Sequence, residues 1–121
     1  MGWKFTDETP IYLQIVEMIK TEIVSGKYHS GDKLPAVRDL ALEAGVNPNT
    51  VQKAFSELER QGLVRSERTS GRFVEIDVKE IEILRNSLSD SYIKELFMHL
   101  KQLGMDEKSI KEAVSNWEDK G

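Results

Sequence analysis

The chain has 121 residues, no cysteine, and 17 basic against 21 acidic residues, a net charge of −4. That length allows one compact domain, or a small domain with an accessory element. The acidic balance argues against a general nucleic-acid coating protein, and the lack of cysteine excludes disulfides and thiolate metal sites. With no long apolar stretch and no signal peptide in the sequence, we expect a soluble, cytoplasmic protein without membrane association.

The first predicted elements are an arm and a long amphipathic helix. Residues 1–8 predict a partly ordered arm. A helix is predicted from Pro10, with Thr9 as its cap, to Gly26. Its core stripe contains isoleucines spaced four residues apart: Ile11, Ile15, Ile19 and Ile23.

A helix-turn-helix is predicted next. After a loop at 27–33 and a very short strand at 33–34, a second helix is predicted over 36–43, with Arg38 on its outer face. A tight turn at 44–46 contains a glycine and leads into another helix. Two short helices joined by such a turn are the signature of this motif.

The stretch that follows carries the strongest local signals and predicts a recognition helix over 47–61. Asn47 is a favourable N-cap, Pro48 occupies the first helical position, and Gly62 suits a left-handed C-terminal cap. The core face repeats at Val51, Ala54, Phe55 and Leu58. The opposite face carries polar groups able to reach base edges or phosphates: Asn49, Gln52, Lys53, Ser56 and Arg60. A polar face is equally typical of an ordinary solvent-exposed helix.

A β-hairpin is predicted after the recognition helix. Its strands are predicted at 63–67 and 72–76, on either side of a turn at 68–71 that ends in glycine. A hairpin in this position is the wing of a winged helix. Arg68 and Arg72 charge its tip and are expected where phosphates or the minor groove would lie, although a loop arginine can also be merely solvated.

Charge is unevenly distributed along the chain. Four arginines and one glutamate between residues 60 and 72 give a local net charge of +3. Residues 77–121 contain ten acidic and seven basic residues, a net of −3. This pattern predicts a protein that contacts an anion at one place only.

The carboxyl-terminal third predicts a helical hairpin. One helix is predicted over 78–104, with a break near 87–90 left open, and Asp106 caps a last helix that carries Ile110, Val114 and Trp117. Its apolar surface is too large for a short hairpin in water and must pack on the first domain, on a second copy, or on both. The expected dimerisation residues are Leu96, Phe97, Leu100, Leu103 and Trp117.

The run PIYLQIVEMIKTEIVSGKYHSGDKLPAVRDLALEAGVNPNTVQKAFSELERQGLVRSERTSGRFV resembles the DNA-binding domain of GntR-family bacterial transcription regulators. The short carboxyl-terminal part resembles the YtrA-like subfamily, in which two helices serve mainly to dimerise. The resemblance implies a mainly α fold with a small β-hairpin wing. It further implies a winged helix-turn-helix domain at 9–77 and a helical dimerisation region at 78–121.

The resemblance also implies which residues touch DNA. Contacts would come from helix 2, the start of the recognition helix and the wing tip, at Arg38, Asn47, Asn49, Thr50, Gln52, Lys53, Arg68, Thr69, Ser70, Gly71 and Arg72. Two departures are evident. Some family members carry arginines where this chain has Pro48 and Gln52, and Ala36 stands where serine is frequent, which suggests a missing helix cap or phosphate contact.

These features predict a dimeric, sequence-specific repressor, with helix 47–61 in the major groove of a DNA operator and wing 63–76 on the backbone or minor groove. The alternative is a winged-helix protein-interaction module, which the net charge permits. An enzyme is not expected, because the sequence has no cysteine and no phosphate-binding glycine loop. His29 and His99 lack ligand spacing, so neither a metal nor a cofactor is predicted, and any small-molecule effector is unknown.

Overall fold

The structure is a computed structural model that describes residues 3–121. It contains five helices and one two-stranded sheet: α1 Ile11–Val24, α2 Val37–Ala44, α3 Pro48–Arg60, β1 Val64–Glu67, β2 Gly71–Val74, α4 Val78–Gln102 and α5 Glu107–Asn116. The chain forms two compact units that divide between Arg85 and Asn86. We call them the head and the C-terminal unit.

The head is a three-helix core with a hairpin attached. Helices α1 and α2 both pack on α3, which brings the buried isoleucines of α1 against the apolar face of α3. Phe55 and Leu58 are almost completely inaccessible to solvent, with at most 1% exposed, as the 3.6-residue period of the sequence predicted. The core therefore fixes which face of α3 points outward.

The start of α1 differs from the prediction. Pro10, rather than Thr9, is the N-cap, and it makes no side-chain cap hydrogen bond. The side chain of Gln14 accepts from the Thr6 amide at 3.0 Å and donates to the carbonyl oxygens of Thr6 and Thr9 at 2.9 and 2.8 Å. These bonds fasten the arm to α1, and Trp3 packs on the core instead of extending into solvent.

The predicted turn between α2 and α3 is confirmed. Gly45 adopts a left-handed conformation with φ 73°, and its amide donates to the carbonyl of Ala41. A residue with a Cβ is strained in this conformation, so glycine ends α2 here at little cost. The chain then reverses into α3.

The wing is an antiparallel hairpin in which Val64 pairs with Val74 and Glu67 with Gly71. In place of the very short strand predicted at 33–34, Lys33 forms an isolated antiparallel bridge with Phe73. Because β1 and the Lys33 segment flank β2 on opposite sides, β2 is held along both edges. Gly71 has φ 104°, and a Cβ there would lie 3.0 Å from Cε of Lys33.

Helix α4 is continuous over 25 residues, without the break considered near 87–90. Its first turns belong to the head, because Ile81 and Leu84 pack on the core and Arg85 donates to the Val24 carbonyl at 2.8 Å. The predicted boundary after residue 77 therefore lies earlier than the division between the compact units.

The C-terminal unit contains the end of α4 and all of α5. Asp106 caps α5 as predicted, and its carboxylate accepts from the Ser109 amide at 2.8 Å. This hydrogen bond lowers the pKa of Asp106. Ile110 is completely buried, whereas Trp117 follows the last residue of α5 instead of lying within the helix.

Candidate nucleic-acid and subunit interfaces

The amino-terminal end of α3 is presented to solvent as predicted. Asn47 is the N-cap, and its side-chain oxygen accepts from the Asn49 amide at 2.7 Å. Asn49, Gln52 and Lys53 are exposed, and Thr50 is half-buried. Since the cap occupies the side-chain oxygen of Asn47, its NH₂ group remains to meet an acceptor.

Arg38 lies in the first turn of α2, the helix that packs against α3. Its side chain is exposed and forms no ion pair with any of residues 3–121. The fork of donors on the guanidinium is therefore free for a guanine edge or a phosphate.

Lys53 has an aromatic neighbour that the sequence did not suggest. Its Nζ lies 4.2 Å from the centroid of the Tyr12 ring, at the start of α1. The two residues line an open cleft of about 350 Å³ together with Ile11, Asn49 and Thr50. No local spacing connects α1 with α3, so the sequence does not indicate this contact. A cation–π contact of this kind restricts where the ammonium group lies.

The wing tip is a short exposed turn. The amide of Ser70 donates to the carbonyl of Glu67 at 3.3 Å, which closes the turn. Arg68, Thr69 and Gly71 are exposed. Arg68 makes no ion pair within the described part of the chain, so it is the free arginine of the wing.

Arg72 lies in β2, below the tip, and points toward α3. Its Nε is 2.9 Å from the carboxylate of Glu59, and its guanidinium carbon is 5.2 Å from the centroid of the Phe55 ring. Only 21% of its side chain is exposed. A DNA contact by Arg72 stays a prediction, but the structure already supplies this guanidinium with an internal partner.

Internal ion pairs also occupy the two remaining arginines between residues 60 and 72. Arg60 pairs with Glu57 on α3, and together with Gln61 it holds the pKa of the Glu57 carboxyl at about 2 by hydrogen bonding. Arg65 pairs with Glu67 at 2.7 Å and stacks on Phe73. The local net charge of +3 therefore overstates how many arginines are free to bind an external anion.

The predicted dimerisation residues lie in the C-terminal unit and are unequally exposed. Leu103 and Trp117 are 75% and 71% exposed, and Leu96 is 40% exposed, whereas Phe97 and Leu100 are half-buried. An apolar cleft of about 370 Å³ is lined by Leu96, Leu100, Ala113, Val114 and Trp117.

In residues 3–121, no group of three or more histidine, aspartate or glutamate side chains is placed to hold a metal ion. His29 and His99 are exposed and lie beside Asp32 and Glu95. None of the helices in this part of the chain combines the length and apolar character that crossing a membrane requires.

A comparison with protein families matches residues 11–74 to the bacterial regulatory proteins of the gntR family. The match spans α1 through β2 and covers more than half of the chain. The chain belongs to the GntR family. Its helix-turn-helix and wing are thus those of a GntR DNA-binding domain. The resemblance to the YtrA-like subfamily is also confirmed, because YtrA regulators are among the matching relatives and structures.

GntR relatives match over nearly the full length. The chain is 33% identical over all 121 residues, and over the whole relative, to the uncharacterized HTH-type transcriptional regulator YhcF of Bacillus subtilis. It is 34% identical to the HTH-type transcriptional repressor YtrA of the same organism, over 88% of this chain and 82% of the repressor.

Solved GntR structures show the same fold. A GntR family transcriptional regulator from Listeria monocytogenes matches with a TM-score of 0.82 and 38% identity, over 94% of this chain and all of the other. The DNA-binding domain of AraR, solved in complex with operator ORX1, matches with a TM-score of 0.54 and 32% identity, over 61% of this chain and 90% of that domain. This GntR protein is a DNA-binding transcription regulator and not an enzyme.

Proposed function

We propose that the chain is a dimeric repressor that reads one operator half-site with each head. The observation that carries the proposal is the exposed polar surface formed by the start of α3 and by Arg38. An α-helix fits the major groove, where amide and guanidinium groups distinguish bases by paired hydrogen bonds.

The wing supplies the second contact. Arg68, Thr69 and Ser70 are exposed at its tip, and the wing follows α3 directly in the chain. Arg68 neutralises a phosphate of the backbone or lies in the minor groove beside the half-site. The related AraR DNA-binding domain was solved in complex with an operator, which supports DNA binding by a domain of this kind.

The C-terminal helices hold the second copy. Residues 9–77 form the DNA-binding part, and within residues 78–121 the C-terminal unit, from Asn86 onward, provides the contacts between subunits. The apolar cleft beside Leu96 and Leu100, with Trp117 exposed at its edge, offers the surface that a self-complementary interface buries. A two-fold dimer requires a palindromic operator whose half-sites are about one helical turn apart.

Repression is the proposed outcome, because a relative of 34% identity is named a repressor. A protein that occupies an operator acts where the chromosome lies, in the cytoplasm. An alternative is a protein-interaction module, in which the same exposed polar surface meets a partner protein.

The test begins with selection of bound fragments from the organism's own genomic DNA. Titration of the selected duplex and of a shuffled duplex, at several salt concentrations, follows. We expect the selected duplex to bind at least 10³-fold more tightly, with an affinity that falls as salt rises. Equal affinity for both duplexes, or no dependence on salt, would overturn sequence-specific DNA binding and favour the protein-interaction module.

A further inference from the structure

The carboxylate of Glu59 is a meeting point of three elements. It belongs to α3, it accepts a hydrogen bond from the Ser66 hydroxyl of β1, and it accepts another from Arg72 Nε of β2 at 2.9 Å. The Arg72 guanidinium also lies over the Phe55 ring of α3. We call these four residues the wing clamp.

The Glu59–Arg72 ion pair of the wing clamp is more sheltered than the Arg65–Glu67 pair within the wing. The side chains of Glu59 and Arg72 are 32% and 21% exposed, whereas those of Arg65 and Glu67 are 38% and 47% exposed. Hydrogen bonds between charged groups gain strength as water is excluded. A two-stranded hairpin is only marginally stable in water. Hydrogen bonds from both of its strands to α3 therefore help to determine where the wing lies.

We propose that Glu59 is a positioning residue that sets the wing against the recognition helix through Arg72 and Ser66. It touches no DNA itself. By fixing the position of the wing, Glu59 allows Arg68 at the wing tip to contact the DNA backbone while the start of α3 lies in the major groove. The inference rests on the proposed function, because one of its readouts is binding to the operator.

The sign of the effect separates positioning from simple charge. A carboxylate near DNA repels phosphates, so removing it should tighten binding and steepen the salt dependence. A positioning role predicts the opposite, since a displaced wing loses its phosphate contact. The same helix offers a matched control in Glu57, whose carboxylate accepts hydrogen bonds from Arg60 and Gln61.

The experiment compares Glu59→Ala and Glu59→Gln with Glu57→Ala and Glu57→Gln in the full chain. Affinity for the selected duplex is measured over a range of salt concentrations, and amide hydrogen exchange is measured without DNA. For Glu59→Ala we expect about tenfold weaker binding and a salt slope reduced by about 0.9, the value of one phosphate contact. Glu59→Gln should fall between wild type and Glu59→Ala, because the amide oxygen still accepts hydrogen bonds.

The exchange measurement reports the wing directly. Amides of residues 64–74 should exchange faster in Glu59→Ala while those of α1 are unchanged, whereas in both Glu57 variants the exchange of the wing relative to α1 should be that of the wild type. If Glu59→Ala does not fold, Ser66→Ala removes the hydroxyl on the β1 side and should accelerate wing exchange in the same way.

Two results would overturn the inference. One is binding by Glu59→Ala that is as tight as wild type or tighter, which would leave Glu59 as a carboxylate that only masks Arg72. The other is unchanged exchange in the wing. Failure of the wild-type protein to prefer any duplex would refute the proposed function instead, and wing exchange would then decide the clamp alone.

Discussion

The Nε atom of Arg72 lies 2.9 Å from Oε1 of Glu59, thirteen residues earlier in the chain, and ties the second strand of the wing to the recognition helix. The arginine nearest the tip, Arg68, has no such partner among the described residues. The two wing arginines therefore differ in kind: one is free for an external anion, and the other is part of the head's own packing.

Replacing each wing arginine by alanine should separate these roles. Arg68→Ala should weaken specific and random duplexes alike, lower the salt slope by about 0.9, and leave the free energy of unfolding unchanged. Arg72→Ala should lower the free energy of unfolding by about 1–2 kcal/mol, because a sheltered hydrogen-bonded ion pair and a cation–π contact are lost. Salt titrations and urea unfolding measure both. Unchanged stability in Arg72→Ala would contradict the internal role.

Arg38 should govern sequence preference. Arg38→Ala removes the exposed guanidinium of α2 and should cost about 1–3 kcal/mol on the selected duplex while affecting a shuffled duplex much less. The comparison of the two duplexes at one salt concentration checks this. An equal loss on both would make Arg38 a phosphate contact without sequence readout.

Removal of the C-terminal unit should separate DNA binding from assembly. A chain ending at Arg85 should be folded and monomeric in sedimentation, because it keeps Ile81 and Leu84 on the core and the Arg85 bond to Val24. A chain ending at Asp77 loses these contacts and should unfold at a lower temperature. A dimer that survives in the chain ending at Arg85 would place the interface in the head.

Ala36 should be a site where one hydroxyl stabilises the protein. It is the N-cap of α2, with φ −63° and ψ 150°, and it supplies no side-chain acceptor. Ala36→Ser should raise the free energy of unfolding by about 0.5–2 kcal/mol, whereas Ala36→Val, which has no acceptor, should not. Denaturant unfolding at one protein concentration decides the matter, since dimer stability depends on concentration. Equal midpoints for all three proteins would mean that water already satisfies these amides.

Glu57 should contribute an acid-dependent part of the head's stability. Hydrogen bonds from Arg60 and Gln61 hold its pKa at about 2, below the ordinary value of 4.5. Because the folded state favours the charged form, the contribution is present above pH 4.5 and is lost as the pH falls toward 2. Glu57→Gln should flatten the dependence of the unfolding midpoint on pH in that window. An identical slope in both proteins would show that solvent screens the interaction completely.

Local sequence signals were sufficient for the helix-turn-helix. The ends of α3 follow from Asn47 and Gly62, because caps and left-handed glycines act over three or four residues. The outward position of Gln52 follows from the apolar period of the same helix. These features depend only on residues that are close together in the sequence, so they can be predicted from one sequence.

Contacts between distant segments were not predictable in the same way. The pairing of Arg72 with Glu59 and of Lys53 with Tyr12 depends on how the wing and α1 pack on α3. The sequence leaves a helix break near 87–90 open, because serine and aspartate favour helix caps. These residues also tolerate a helix interior when their side chains face water. In α4 their side chains are exposed, and the helix continues through them.

The paired arginines of the wing region also bear on how this regulator searches a genome. Each cation engaged by its own carboxylate releases no counterions from DNA, so the head should hold random sequence weakly. Chromosomal DNA offers on the order of 10⁶ or more competing sites, and weak retention on them leaves a larger fraction of the protein unbound. Few copies per cell would then suffice to occupy a single operator.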